Sequence, residues 1–483
     1  MLEKLKGRNL FLVLAILIVL MGIYIRAIML KHPGFFEPDV YFYYSILRET
    51  IQNGFVVPAY SYLSGFPVHN HIGEAPGIVY ASAIPYFFLR YIGISYYTVM
   101  RLVPIFFGVL TILGTYLLSR RLSKNSWFGL LVLFLAAVSI GSLSRTSGTE
   151  YRGDSFISPF LLVSLYLMLK GVEGEGKRTD YHLMLLSAFV LSLGSMVWNG
   201  FPYTYATYLM ATALISVYAF ISGKEKLLRM NSVAVLGLLL AYLLQHLYAY
   251  IGLSRSSLPM TGLDFFILYI PVLAGSLLAY YALMDKGRFA VLISHRNRAI
   301  AVFACLVISV VLLSGLFAHY YNTIFGQKAI GQTTLELQPT TLSFVASILN
   351  IQLLLAPLGI LFFLFLAHYA EDKEHHKAWA LRLSMSPAFL AIASYVAITG
   401  ILQGSVLRFN AIFAVPMVIF AAYGMFVPGA LMKKYAEGIQ GRRMVKTAAA
   451  IALAACLLIS LYFIMPFSIL GSYFVVGAIL RAI

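Results

Sequence analysis

Residues 10–29 read LFLVLAILIVLMGIYIRAIM, twenty consecutive positions with one charged side chain, Arg26. At about 1.5 Å per residue, such a run covers the roughly 30 Å hydrocarbon core of a bilayer. Lys4, Lys6 and Arg8 precede it as they would in a signal peptide. The run is as long as a membrane span, however, and lacks a small-residue cleavage site, so a retained first helix is expected. Twelve more apolar runs follow: Val99–Leu118, Trp127–Ile140, Phe156–Leu169, Leu183–Val197, Phe201–Ile221, Ser232–Ile251, Phe265–Met284, Ala299–Phe317, Leu342–Ala367, Ser384–Gly400, Ala411–Leu431 and Val445–Met465. The expected fold class is an all-α polytopic membrane protein of about thirteen transmembrane helices.

Composition points the same way. With 61% hydrophobic and 11% charged residues in 483, there is too little polar surface to cover a soluble core of this size. The net charge of +17 is spread through the loops and forms neither a basic patch nor an arginine-rich tail, which argues against a nucleic-acid partner. Cys305 and Cys456 both sit in apolar runs and support neither a disulfide framework nor a cysteine metal site.

The loop charges set an orientation. With the N-terminus cytoplasmic, every second loop is basic, from Arg120, Arg121 and Lys124 through Lys224, Lys226 and Arg229 to Lys433, Lys434, Arg442, Arg443 and Lys446. Of the 35 Lys and Arg residues, 24 fall on the inner side, as the positive-inside rule requires. Residues 1–483 read as a single transmembrane domain with two long outer loops, residues 31–97 and 318–341, and an apolar tail, residues 466–483, without a soluble C-terminal domain.

On this topology eight acids face outward: Glu37, Asp39, Glu49, Glu74, Glu150, Asp154, Asp264 and Glu336. Glu49 beside Arg48 reads as the solvated face of an amphipathic helix, and Asp264 as a helix cap. Asp39, followed by Val40, Tyr41, Phe42, Tyr43 and Tyr44, is either a cap or a carboxylate offered at the membrane surface. Glu150-Tyr151-Arg152-Gly153-Asp154 fills a short outer loop, with an arginine able to pair either acid. Glu336 ends Thr333-Thr334-Leu335-Glu336 in the second long loop. Carboxylates converging from separate loops repel unless a hard cation lies among them, and oxygen ligands suit Mg²⁺ or Mn²⁺. Arg408, before Phe409 and Asn410 at an outer helix end, is a forked cation suited to phosphate.

These residues, in this order and on one side of the membrane, resemble the catalytic subunit of oligosaccharyltransferase, and its archaeal members in particular. Asp39 matches the acid of that family's first outer loop, and Glu150 with Asp154 its second acidic motif. Thr333 to Glu336 matches its loop motif ending in glutamate, and Arg408-Phe409 its arginine near the lipid phosphate. Trp198-Asn199-Gly200 is similar to a tryptophan-glycine segment of the family. The resemblance covers most of the chain and implies a GT-C glycosyltransferase architecture. It also implies inverting transfer of a glycan from a dolichyl-phosphate or -diphosphate carrier to the asparagine of an acceptor sequon. Asp39 and Glu336 would orient the acceptor amide, while Asp39, Glu150, Asp154 and Glu336 would hold Mn²⁺ or Mg²⁺. Arg408, Trp198 and Tyr41 would contact substrate, and the active site would face the extracytoplasmic side.

Two features depart from that pattern. The paired acids stand four positions apart rather than two, which leaves open whether Glu150 or Asp154 is the metal ligand. The family's Trp-Trp-Asp motif, which grips the sequon Ser or Thr, has no counterpart, since Trp127, Trp198 and Trp379 are all isolated. Either the chain is a membrane-domain fragment or a paralogue, or an additional subunit supplies the acceptor grip. The alternatives are a GT-C enzyme using a polyprenyl-phosphate sugar on another acceptor, and a transporter. A transporter's charged sites usually lie near the bilayer midplane rather than at outer helix ends.

Overall fold

The computed structural model describes residues 2–35, 38–61, 63, 70–71, 75–123, 125–253, 263–284, 355–356, 386–405 and 410–436. Helix α1 spans Leu2–Ala27, and the long segment after it folds into α2 (Pro38–Gln52) and α3 (Gly77–Leu89). Between these two lies an antiparallel ribbon of β1 (Tyr60–Ser61) and β2 (Asn70–His71), with Tyr60 opposite His71. There follow α4 (Tyr96–Leu122), α5 (Ser126–Val138), α6 (Ile140–Thr146), α7 (Gly153–Val172), α8 (Arg178–Val197), α9 (Pro202–Ile221) and α10 (Glu225–Tyr250). The remaining described helices are α11 (Leu263–Met284), α12 (Pro387–Ser405) and α13 (Asn410–Ala436).

Among the described residues six helices are long and apolar enough to cross a membrane, or seven if the α5–α6 pair counts as one span. The runs Ala299–Phe317 and Val445–Met465, the loop of residues 318–341, the tail of residues 466–483, Glu37, Glu74, Glu336 and Arg408 lie outside the described residues. So does Leu342–Ala367, except for residues 355 and 356.

Local chemistry explains where the helices begin. The Ser95 hydroxyl accepts the Thr98 N–H at 3.1 Å to start α4. The Asn125 side chain accepts from Trp127 and Phe128 N–H at 2.8 and 3.3 Å to start α5. Asp180, in the first turn of α8, accepts from Gly176 and Lys177 N–H. Within the bundle α7 lies along α4 and α8, α10 against α8 and α9, and α12 against α9, while α13 packs on α5 and α6. In lipid, apolar surface alone gives helices little reason to associate, and small hydroxyl residues let them approach and bond. Ser164 of α7 and Ser187 of α8 do so reciprocally, each hydroxyl donating to the other's carbonyl at 2.9 and 2.8 Å.

The apolar run Trp127–Ile140 predicts a helix ending at Ile140, but the chain bends by 51° at Ser139 and continues as α6. The break falls just before the Gly141-Ser142 pair, and no proline lies at it. The buried Arg26 of α1 takes up the carbonyl it frees, donating to Ala137 O at 3.0 Å, to Thr146 Oγ1 at 2.8 Å and to Ser142 Oγ at 3.0 Å. A guanidinium at the C-terminal end of α5 satisfies an orphan carbonyl and complements the helix dipole.

Two features of the segment between α1 and α4 differ from expectation. Glu49 is buried, not solvated: its carboxylate accepts the Leu63 N–H at 2.6 Å and pins the ribbon side of the loop to α2. Helix α3 has no counterpart in the apolar scan, because thirteen residues fall short of a membrane span and Pro85 lies inside.

Candidate active site

Arg152, Glu150 and Asp154 stand where α6 hands over to α7, and the backbone there is fixed from several sides. Gly148 N–H donates to Arg26 O at 3.2 Å, and Gly148 O accepts from Arg101 Nε at 3.0 Å. Arg101 also donates to Met29 O at 2.8 Å, and its guanidinium lies 5.5 Å from the Tyr97 ring centre. Glu150 is buried, and its N–H donates to Ser147 O at 3.1 Å. The loop is thereby lashed to the C-terminal end of α1 and the start of α4.

Tyr151 joins this loop to the segment that carries α2 and α3. Its buried hydroxyl donates to Ile78 O and accepts from Ser82 Oγ at 2.8 Å, both on α3. Its ring meets Phe156 edge-on at 5.1 Å and Tyr43 of α2 at 6.0 Å. Burial raises the phenol's pKa above its ordinary value. One side chain thus sets α2 and α3 against the start of α7.

The consequence is a shared cation. Arg152 Nη2 lies 3.4 Å from Asp39 Oδ2, and Arg152 Nε lies 4.0 Å from Asp154 Oδ2. Asp39 follows Pro38 in the first turn of α2, and Asp154 follows Gly153 in the first turn of α7. Proline at the first helical position is pre-set for the helix, and helix N-termini favour negative charge. Asp154 is 2% exposed and Asp39 63%, so one carboxylate is sealed in the protein while the other faces outward.

Trp198, expected as a substrate contact, is buried beneath this junction. A Cβ on Gly153 would stand 2.5 Å from Val197 O and 2.9 Å from Trp198 Cβ, so only glycine permits α7 to start so close to the end of α8. A Cβ on Gly200 would stand 2.4 Å from the Trp198 ring, which Tyr203 meets edge-on at 6.1 Å. The Trp198-Asn199-Gly200 segment is therefore the seat on which the acidic loop rests.

Tyr41 is half exposed beside Asp39, and its hydroxyl accepts the Phe35 N–H at 3.2 Å. Behind it Tyr44 stacks on Tyr96 at 5.4 Å and donates to the Tyr96 hydroxyl at 3.1 Å. Burial, then that bond, pushes the Tyr44 phenol up to about 12.

Among the described residues no group of three or more His, Cys, Asp or Glu side chains could hold a metal ion. The acids on Arg152 are hard oxygen donors, which fit Mg²⁺ or Mn²⁺ in kind. Glu336, the further acid expected there, and Arg408 lie outside the described residues. Tyr151 and Gly153 were not singled out from sequence. Their signal was faint: an aromatic and a glycine interleaved with charges.

Comparison with known proteins matches the model "Oligosaccharyl transferase STT3, N-terminal" to residues 9–470. Dolichyl-phosphooligosaccharide-protein glycotransferase 1 of Pyrococcus furiosus is 29% identical over 221 residues, 45% of this chain and 22% of the relative. Glycotransferase 2 of Pyrococcus horikoshii is 27% identical over 268 residues, 52% of this chain and 35% of the relative. Among solved structures, the oligosaccharyltransferase AglB of Archaeoglobus fulgidus, in complex with an inhibitory peptide and a dolichol-phosphate, superposes with a TM-score of 0.70 at 16% identity, covering 96% of this chain and 56% of that one. The Archaeoglobus fulgidus enzyme in complex with Zn and sulfate gives 0.66 at 15% identity, covering 94% and 53%. This chain thus spans about half the length of those solved proteins and shares their fold. It is an integral, multi-pass membrane protein. The match from residue 9 to residue 470 settles its kinship: the chain belongs to the oligosaccharyl transferase STT3 family.

Proposed function

We propose that this chain is the catalytic membrane domain of an oligosaccharyltransferase, moving a glycan from a dolichyl-phosphate or -diphosphate carrier onto the asparagine of an acceptor sequon. The observation that carries this reading is the gathering of Asp39 and Asp154, from the N-termini of two separate helices, on the single guanidinium of Arg152. The names of the relatives support it, since they are called dolichyl-phosphooligosaccharide-protein glycotransferases. The proposal includes about thirteen membrane helices with the N-terminus cytoplasmic, one transmembrane catalytic domain, and an active site on the extracytoplasmic side.

Asp39 and Glu336 accept hydrogen bonds from the acceptor amide and aim its nitrogen at the glycan's C1, opposite the leaving phosphate, so that this carbon inverts. Arg408 grips the lipid phosphate as a forked donor. Tyr41 stands at the rim where the substrate enters, and the loop of residues 318–341 closes over both substrates. Trp198 acts from below, by seating Gly153 and therefore Asp154. Asp39, Glu150, Asp154 and Glu336 are the oxygens that would hold Mn²⁺ or Mg²⁺, which when bound offsets negative charge developing on the leaving phosphate. Trp127, Trp198 and Trp379 form no tryptophan pair, so the sequon's Ser or Thr is gripped by an additional subunit or a further domain.

The test is glycopeptide formation by the purified chain with a lipid-linked oligosaccharide and an Asn-X-Thr peptide, with and without Mn²⁺. Product that depends on the cation and is lost in Asp39→Ala is expected. Full turnover in Asp39→Ala and Glu336→Ala would overturn the assignment of the site.

A further inference from the structure

Helix α3 has a second face that the acidic site does not use. Its underside, Ile78, Val79, Ser82 and Ala83, is buried and bonds to Tyr151. The opposite side exposes Ile84 and Phe88 at i and i+4, with Phe88 66% exposed, and the 3-10 turn that follows exposes Tyr91 at 73%. Ile84 and Phe88 share one face of the helix, so the exposed side is an apolar stripe rather than scattered single residues. From Gly77 to Ile92 the helix and its following turn form an apolar segment too short to span a bilayer. Water would meet an apolar side where a solvated helix presents polar residues.

Arg90 caps the end of that stripe. Its guanidinium lies 4.7 Å from the Phe87 ring centre, 4.9 Å from Tyr91 and 5.3 Å from Phe55, and it donates to the Tyr91 hydroxyl at 2.9 Å. Three rings hold the cation in place without neutralising it. Among the described residues no carboxylate pairs with Arg90. Gly93, at φ 79°, then turns the chain to Ser95, the cap of α4. Helix α3 packs on α4, a membrane-spanning candidate whose Leu102 and Phe106 are also exposed.

We infer that α3 lies in the membrane interface at the end of the bundle that carries Asp39 and Asp154, and that Arg90 binds the phosphate of an anionic membrane lipid whose chains rest on Ile84 and Phe88. An in-plane helix with one face in the acyl boundary, aromatic rings at headgroup level and a cation reaching the phosphates is how short apolar segments meet a bilayer. The face is paired with Arg90, and this selects a lipid over a soluble anion: a free phosphate would leave Phe88 and Ile92 in water. The inference requires membrane insertion only and does not depend on the proposed catalysis.

The experiment uses the full chain in phosphatidylglycerol nanodiscs, with Cys305 and Cys456 replaced by serine and a fluorophore placed through Phe88→Cys or, as a control, Asn53→Cys. Quenching of the label at 88 by lipids carrying a spin label in the acyl chain, without comparable quenching at 53, is expected. A label at 88 that aqueous iodide reaches freely, or one that neither quencher reaches because protein covers it, would overturn the inference. In the second arm, native mass spectrometry counts retained phosphatidylglycerol, and Arg90→Gln should lower retention by about tenfold, the loss expected of one charge-assisted contact. Unchanged retention, or displacement of the lipid by excess inorganic phosphate with the label at 88 left in water, would mean that Arg90 is no lipid site.

Discussion

Arg152 and Asp39 meet across the junction of α2 and α7 with Nη2 3.4 Å from Oδ2, joining a side chain that is 4% exposed to one that is 63% exposed. The same contact therefore means different things to its two partners. For Asp39 it is a screened surface pair of small worth, whereas Arg152 also answers the sealed carboxylate of Asp154.

That asymmetry separates two substitutions. Asp39→Asn should change stability by less than about 1 kcal/mol while lowering glycan transfer by about 100-fold or more. Arg152→Met should cost about 3 kcal/mol, because Asp154 is left without the cation it faces in the protein. Thermal unfolding in detergent, read beside transfer assays of the same preparations, checks both. Equal losses of stability would contradict the split.

At Gly153 even a methyl group is too large. Gly153→Ala places a carbon within 2.5 Å of the Val197 carbonyl, so α7 must move off α8 and carry Asp154 with it. A stability loss of about 1–3 kcal/mol is expected, together with reduced transfer. Retention of wild-type melting and activity would show that the seat tolerates movement.

Tyr151→Phe keeps the ring against Phe156 and Tyr43 but removes the hydroxyl from Ile78 O and Ser82. The buried partners left behind should cost about 1–3 kcal/mol. Since the lost bonds tie α3 to the acidic loop, hydrogen exchange at Ile78 and Ser82 should quicken before exchange in α8 does. Uniform exchange across both helices would place the tie elsewhere.

Stripping divalent cations with a chelator should abolish transfer, and either Mn²⁺ or Mg²⁺ should restore it, as oxygen donors bind both. Asp154→Asn should weaken Mn²⁺ binding, followed directly by the free-ion electron paramagnetic resonance signal. Binding indifferent to that substitution would remove Asp154 from the ligand set.

Much of the plan was readable from residue order. Long apolar runs marked α1, α4 and α7 to α10, the helices long and apolar enough to cross a membrane, and shorter ones marked α11 to α13. Asp39 and Asp154 stood out because carboxylates are scarce in such a chain. The supports of the site were harder to read. Arg152 could be suspected as a partner of the acids in its own loop, but its reach to Asp39 depends on Tyr151 and on the tertiary placement of α2. Glu49 looked solvated beside Arg48, because nothing local announces that the Leu63 amide returns to it. Gly153 matters only through Val197 and Trp198, a proximity that no linear spacing encodes.

The bend at Ser139 also bears on how the protein is made. Arg26 emerges from the ribosome first, yet the carbonyl it satisfies, Ala137 O, is synthesised 111 residues later. Until α5 and α6 arrive, Arg26 can donate only within its own helix, to Gly22 O at 3.1 Å, and the rest of its guanidinium waits for Ala137, Ser142 and Thr146. A defect at Arg26 would therefore surface more than a hundred residues away along the chain, at the bend between α5 and α6.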